Sequence, residues 1–64
     1  MKVGTVKVWN PAKGWGFITD EHGEDYFLNV INIRPGQKVK VGDRVKFDVS
    51  EGQRGPSAEN VTHV

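Results

Sequence analysis

The chain contains no cysteine, so neither a disulfide framework nor a cysteine-ligated zinc ribbon can support it. That fits a reducing cytoplasm, which is the expected location. No apolar run approaches membrane-spanning length. Met1-Lys2-Val3-Gly4 leads straight into strand-like sequence with no long apolar core, so no secretory signal peptide is expected. Helical periodicity of useful length, internal repeats and low-complexity segments are also missing. The two histidines, His22 in an acidic loop and His63 near the end, have no partner at metal-ligand spacing. The acids Asp20, Glu21, Glu24 and Asp25 form a charged hairpin tip but lack the spacing of a calcium loop. No helix follows the glycines, so none of them cradles a phosphate. No metal, cofactor, catalytic residue or enzymatic activity is expected, because paired titratable groups in a cleft cannot be assembled from these residues.

Charge is scarce too. The formal net charge is only +1, a weak argument for a polyanionic partner. Its distribution is more informative. Residues 1–19 carry three positive charges and no negative ones, whereas residues 20–25 carry four negative charges. Residues 34–46 then carry five positive charges against one negative. Segregation of this kind leaves one side locally basic, or else belongs to ordinary solvated loops.

What is present reads as β-structure. Sixty-four residues form one small domain, 1–64, with a modest core. Val3 to Asn10 alternates with a period of two, and Asn10-Pro11-Ala12-Lys13-Gly14 is a turn. Trp15 to Thr19 is a second strand, followed by the polar hairpin loop Asp20-Glu21-His22-Gly23-Glu24. Asp25 to Ile31 is a third strand. Asn32 to Val41 is irregular and basic, through Arg34, Lys38 and Lys40. Val45, Phe47 and Val49 mark a fourth strand, Ser50 to Ser57 a long loop, and Ala58 to Val64 a fifth strand. Five short strands separated by turn residues predict an all-β, antiparallel barrel. Gly16 suits such a barrel, because a strand glycine often marks a bend or a close backbone approach.

Alternation sorts the side chains. Val6, Val8, Ile18, Leu28, Val45, Phe47 and Val49 supply a core. Lys7, Trp9, Trp15, Phe17, Phe27 and Asn29 then share the opposite face, drawn from three strands. Burying that face instead would place Lys7 and Asn29 inside at considerable cost. Exposed flat rings beside Lys7 and Lys13 suit nucleobases and phosphates, and Asp25 and Asn29 offer hydrogen bonds to base edges. A protein-binding patch is the alternative use of exposed aromatics.

Three motifs carry a resemblance. Lys13-Gly14-Trp15-Gly16-Phe17-Ile18 resembles the first RNA-binding motif of the cold-shock domain family, Lys-Gly-aromatic-Gly-Phe-Ile. Asp25-Tyr26-Phe27-Leu28-Asn29-Val30 resembles the second, usually Asp-Val-Phe-Val-His-Phe. The ending from Gly52 to Thr62 follows that family's Gly-Pro-x-Ala-x-Asn-Val closure. The resemblance covers nearly the whole chain and implies the five-stranded barrel of the oligonucleotide-binding (OB) superfold. It further implies binding of single-stranded RNA or DNA, often pyrimidine-rich, and RNA chaperone activity with a role in transcription or translation. The contacts it implies are Lys7, Trp9, Lys13, Trp15, Phe17, Asp25, Phe27 and Arg54, with Asn10 and Pro56 nearby.

The departures predict an atypical member. Val8-Trp9 stands where the family has Trp-Phe, and Asn29-Val30 stands where it has His-Phe. The loop after Ile33 is about two residues shorter and has no aromatic. Tyr26 replaces a core valine, so it either swells the core or reaches its hydroxyl outward. Weaker binding, or a shorter footprint, is expected. The aliphatic run Asn29-Val30-Ile31 leaves open a protein-binding or inhibitory module on the same barrel. A shortened loop also leaves both a monomer and a strand-exchanged dimer open.

Overall fold

Valines and a threonine punctuate the stretch from Lys2 to Asn10, and β-branched side chains suit a pleated, half-buried surface. That stretch is strand β1 in the computed structural model, which describes residues 1–64. It is followed by β2 (Trp15–Asp20), β3 (Asp25–Asn29), one 3-10 turn (Val30–Asn32), β4 (Arg44–Gly52) and β5 (Gly55–His63). The strands close into a barrel in the order β1-β2-β3-β5-β4. Neighbours are antiparallel except β3 and β5, which meet in parallel at Phe27 and Ser57. Closure leaves no free sheet edge.

The core consists of Val6, Ile18, Leu28, Val45, Phe47, Ala58 and Val61, with Tyr26 beside Phe47. Alternation expects Val8 and Val49 inside as well, yet both are 41% exposed. The causes differ. In β1 the register against β2 slips: Val6 faces Ile18, but Val8 faces Phe17. Lys7 is the extra residue of a β-bulge, and one extra residue reverses the inward and outward sense beyond it. Val8 therefore turns out, and Trp9 turns toward the core's edge. Val49 lies past Phe47, where β4 loses β1 as a neighbour and is flanked by β5 alone.

Two boundaries also differ from expectation. Ser50 to Ser57 is a continuous hairpin rather than a loop. Ser50 pairs with Ser57 and Gly52 with Gly55, leaving Gln53 and Arg54 alone at the tip. Gly55, at φ 97°, takes the left-handed conformation that this tight reversal needs. β3 stops at Asn29 rather than Ile31, because Asn29 Oδ1 accepts a hydrogen bond from the Ile31 N–H at 3.1 Å and starts the 3-10 turn.

Gly16 behaves as expected. A Cβ there would run into the Val8 carbonyl of the adjoining strand, so only glycine lets β1 and β2 approach at the bulge. Asp20 departs from the acidic tip to which its neighbours belong. It ends β2, is buried, and accepts a hydrogen bond from the Tyr26 hydroxyl at 2.8 Å. Its other oxygen accepts the backbone N–H groups of His22 and Glu24. Tyr26 thus keeps its ring in the core and satisfies its hydroxyl there, rather than reaching outward.

Candidate nucleic-acid interface

Strand pairing assembles the outer face. Trp15 and Phe17 alternate on β2 with Phe27 opposite Phe17 on β3. Phe17 stands between the other two rings: its centroid is 5.9 Å from Trp15 and 5.9 Å from Phe27, edge to face in both cases. Such T-shaped contacts are the favoured geometry for neighbouring rings. The hairpin tip then brings the Arg54 guanidinium over Phe27, 5.2 Å from its centroid, within cation–π range. The row thus runs Trp15, Phe17, Phe27, Arg54. Trp15 is 36% exposed, and the two phenylalanines are half-buried.

The cations on the segments that flank the row are not neutralised. Lys7, Lys13 and Arg54 are exposed, and none is in an ion pair; the ion pairs of the chain involve Lys2, His22 and His63. Asp25 lies on the same face, and its Oδ1 accepts a hydrogen bond from the Thr19 hydroxyl at 2.6 Å. Asn29 also lies there, beside Trp15, with its oxygen engaged by the 3-10 turn.

Of the residues expected to form this face, Trp15, Phe17, Asp25, Phe27 and Asn29 share it through strand pairing, Arg54 reaches it from the hairpin tip, and Lys7 and Lys13 are exposed on the bulge of β1 and the β1–β2 turn. Trp9 does not share it. The bulge at Lys7 pairs it with Gly16 and packs it against the core cluster. Its ring lines a groove of about 330 Å³ with Pro11, Val30, Ile33 and Val39. Val8 takes its place opposite Phe17, a position that strict alternation assigns to the core. The sign of this was the family pattern, which has tryptophan at position 8, a bulky choice for the interior of so small a barrel. The basic loop is tied down rather than loose: Arg34 N–H donates to the Val61 carbonyl, and the Gln37 side-chain oxygen accepts from the His63 N–H.

A closed five-stranded barrel in this strand order has the architecture of the OB type. Residues 2–64 match the model of the family described as the 'cold-shock' DNA-binding domain, and the chain belongs to that family. It is 47% identical over 64 residues to the major cold shock protein of Streptococcus pyogenes serotype M1, covering 97% of this chain and 96% of that one. It is 48% identical over 65 residues to the cold shock-like protein CspLB of Listeria monocytogenes serovar 1/2a, covering 97% of each. Identity to the cold shock protein ScoF of Streptomyces coelicolor is 45% over 65 residues, again with 97% of each covered. The family is one of nucleic-acid-binding proteins. No helix of the chain is long and apolar enough to cross a membrane.

Proposed function

We propose that the chain binds single-stranded RNA or DNA by stacking successive bases on Trp15, Phe17 and Phe27. Lys7, Lys13 and Arg54 reach the phosphates, while Asp25 and Asn29 hydrogen-bond base edges. The observation that carries this reading is the unbroken contact row of three rings ending on an unpaired guanidinium. Every base has a stackable face, so the surface tolerates many sequences, with pyrimidine-rich ones favoured. Holding bases apart by mass action melts weak pairing without nucleotide hydrolysis, which is RNA chaperone work in the cytoplasm and a means of regulating transcription or translation. Trp9 contributes from the groove rim rather than from the row. With Val8 in place of a ring, binding is weaker than on a full platform.

Titration of oligothymidine against tryptophan fluorescence tests this. Quenching is expected, with log affinity falling against log salt at a slope of about −2 for three phosphate contacts. An absence of quenching at hundreds of micromolar oligonucleotide in low salt overturns the reading.

A specific observation supports a second reading. Val30 is 50% and Ile31 82% exposed, next to the Trp9 groove, an apolar surface suited to a protein partner. A nuclease-resistant complex lost on Val30→Asp supports it; insensitivity to that change removes its basis.

A further inference from the structure

Two segments wall the groove beside Trp9. The β1–β2 turn supplies Pro11, and the chain from the 3-10 turn toward β4 supplies Val30, Ile33, Lys38 and Val39. The backbone behind these walls is fixed. Val30 N–H donates to the Gly14 carbonyl at 2.9 Å, and Arg34 N–H donates to the Val61 carbonyl at 2.9 Å. His63 Nε2 lies 2.6 Å from the Lys38 carbonyl; a carbonyl only accepts, so that nitrogen carries the proton. Walls tied in this way lose little freedom when the groove is filled. The 3-10 turn at its rim buries none of its residues, although Val30 and Ile31 are aliphatic.

Charge along both walls has one sign. Residues 10–19 and 30–42 carry Lys13, Arg34, Lys38 and Lys40 and no acid. None of these cations is in an ion pair. Asp43, the next acid along, accepts the Lys40 N–H, and its side chain is only 19% exposed. An apolar slot edged by free cations is complementary to an apolar side chain flanked by carboxylates.

We infer that this groove docks an acidic peptide segment of another protein, with a large apolar side chain in the slot and carboxylates drawn to Lys13, Lys38 and Lys40. The inference rests on the second reading above and gives its partner a chemistry. A nucleobase suits the groove less well. Bases stack on flat aromatic faces, and Trp9 is the only ring among branched aliphatic walls. The groove also shares no residue with the row of Trp15, Phe17, Phe27 and Arg54, so the two surfaces can be filled separately.

The test follows the two indole N–H resonances of the unaltered chain, Trp9 reporting the groove and Trp15 the row. The probes are the capped peptide Asp-Glu-Leu-Phe-Asp-Glu, its uncharged counterpart Asn-Gln-Leu-Phe-Asn-Gln, and oligothymidine. The acidic peptide is expected to shift the Trp9 resonance and to bind about fivefold tighter than the uncharged one, from several exposed charge contacts acting together. High salt should narrow that difference. Lys38→Glu should abolish it; the hydrogen bond from His63 goes to the Lys38 backbone, so the wall persists. Equal binding of the two peptides at Trp9, or a preference unchanged by Lys38→Glu, overturns the acidic partner and leaves the apolar-surface reading standing. No shift of Trp9 with either peptide overturns both. A Trp15 shift in its place puts the peptide on the row, and a Trp9 shift with oligothymidine alone gives the groove to nucleic acid; either overturns the inference.

Discussion

Tyr26 donates its hydroxyl hydrogen to Asp20 Oδ2 across 2.8 Å, and both residues are buried. The Asp20 carboxylate also accepts the two backbone N–H groups that shape the β2–β3 loop, and Lys2 Nζ lies 3.8 Å away. One carboxylate therefore joins the hairpin that carries Phe17 and Phe27 to the centre of the barrel.

This pair gives stability a pH signature at both ends. The hydrogen bond to Asp20, and then burial, push the Tyr26 hydroxyl up to about 12 from an ordinary 10.0. The unfolded chain therefore releases that proton first. The contribution is full below pH 10 and fades as pH rises toward about 12. The Tyr26 hydrogen bond holds Asp20 below its ordinary 3.8 against the opposing effect of burial. Its contribution is present above that value and is lost as pH falls through the folded-state value. Urea midpoints measured across pH 9–12 should decline less steeply for Tyr26→Phe than for the unaltered chain. Parallel declines would remove Tyr26 as the source.

Trp15→Ala and Phe17→Ala should each cost about 1–3 kcal/mol of oligonucleotide binding. Both side chains project from the outer face, so thermal midpoints should move little. Calorimetry of each variant with and without oligonucleotide separates the two effects. Unfolding by either change would mean that these rings support the barrel itself.

Val8→Trp should strengthen binding by about 1–3 kcal/mol. Position 8 lies opposite Phe17 on the open face, and a ring there extends the row onto β1. The measurement is the affinity ratio of variant to unaltered chain for the same oligonucleotide. A destabilised protein with no gain in affinity would place position 8 inside.

Gly16→Ala should prevent stable folding. The new Cβ meets a backbone carbonyl rather than a flexible side chain, so relief requires parting β1 from β2. Overpacking a core that can relax already costs about 1–3 kcal/mol, and here the obstructing atoms are backbone that cannot move aside without breaking the pairing. A domain this small holds only about 3–5 kcal/mol in total. Loss of the cooperative transition in denaturant, seen by circular dichroism, is the expected result.

Much of the barrel was legible because its strands obey one rule. Ile18, Leu28, Val45 and Phe47 alternate with polar residues and all lie inside. Trp15, Phe17 and Phe27 alternate with them and all lie outside or half outside. The misreadings fall where local chemistry suspends that rule. No pattern in Lys7 announces that it is the extra residue of a bulge, since a bulge is a property of two paired strands. Gly52, Gly55 and Pro56 look like a loop because they are turn-formers, but two residues suffice for the reversal and the rest continue the ladder. Asp20 resembles its acidic neighbours in sequence, and only the tyrosine six positions later explains why it is buried. Arg54 over Phe27 joins residues far apart in the chain, so motif matching could suggest it but spacing could not.

The slip at Lys7 means that the surface chemistry of β1 depends on counting as well as on identity. Were Lys7 drawn into the ladder instead of bulging from it, the next two residues would swap roles, bringing the indole of Trp9 into the open and tucking Val8 away. One unpaired position thus decides what this barrel shows to the solvent, with every letter of the chain unchanged.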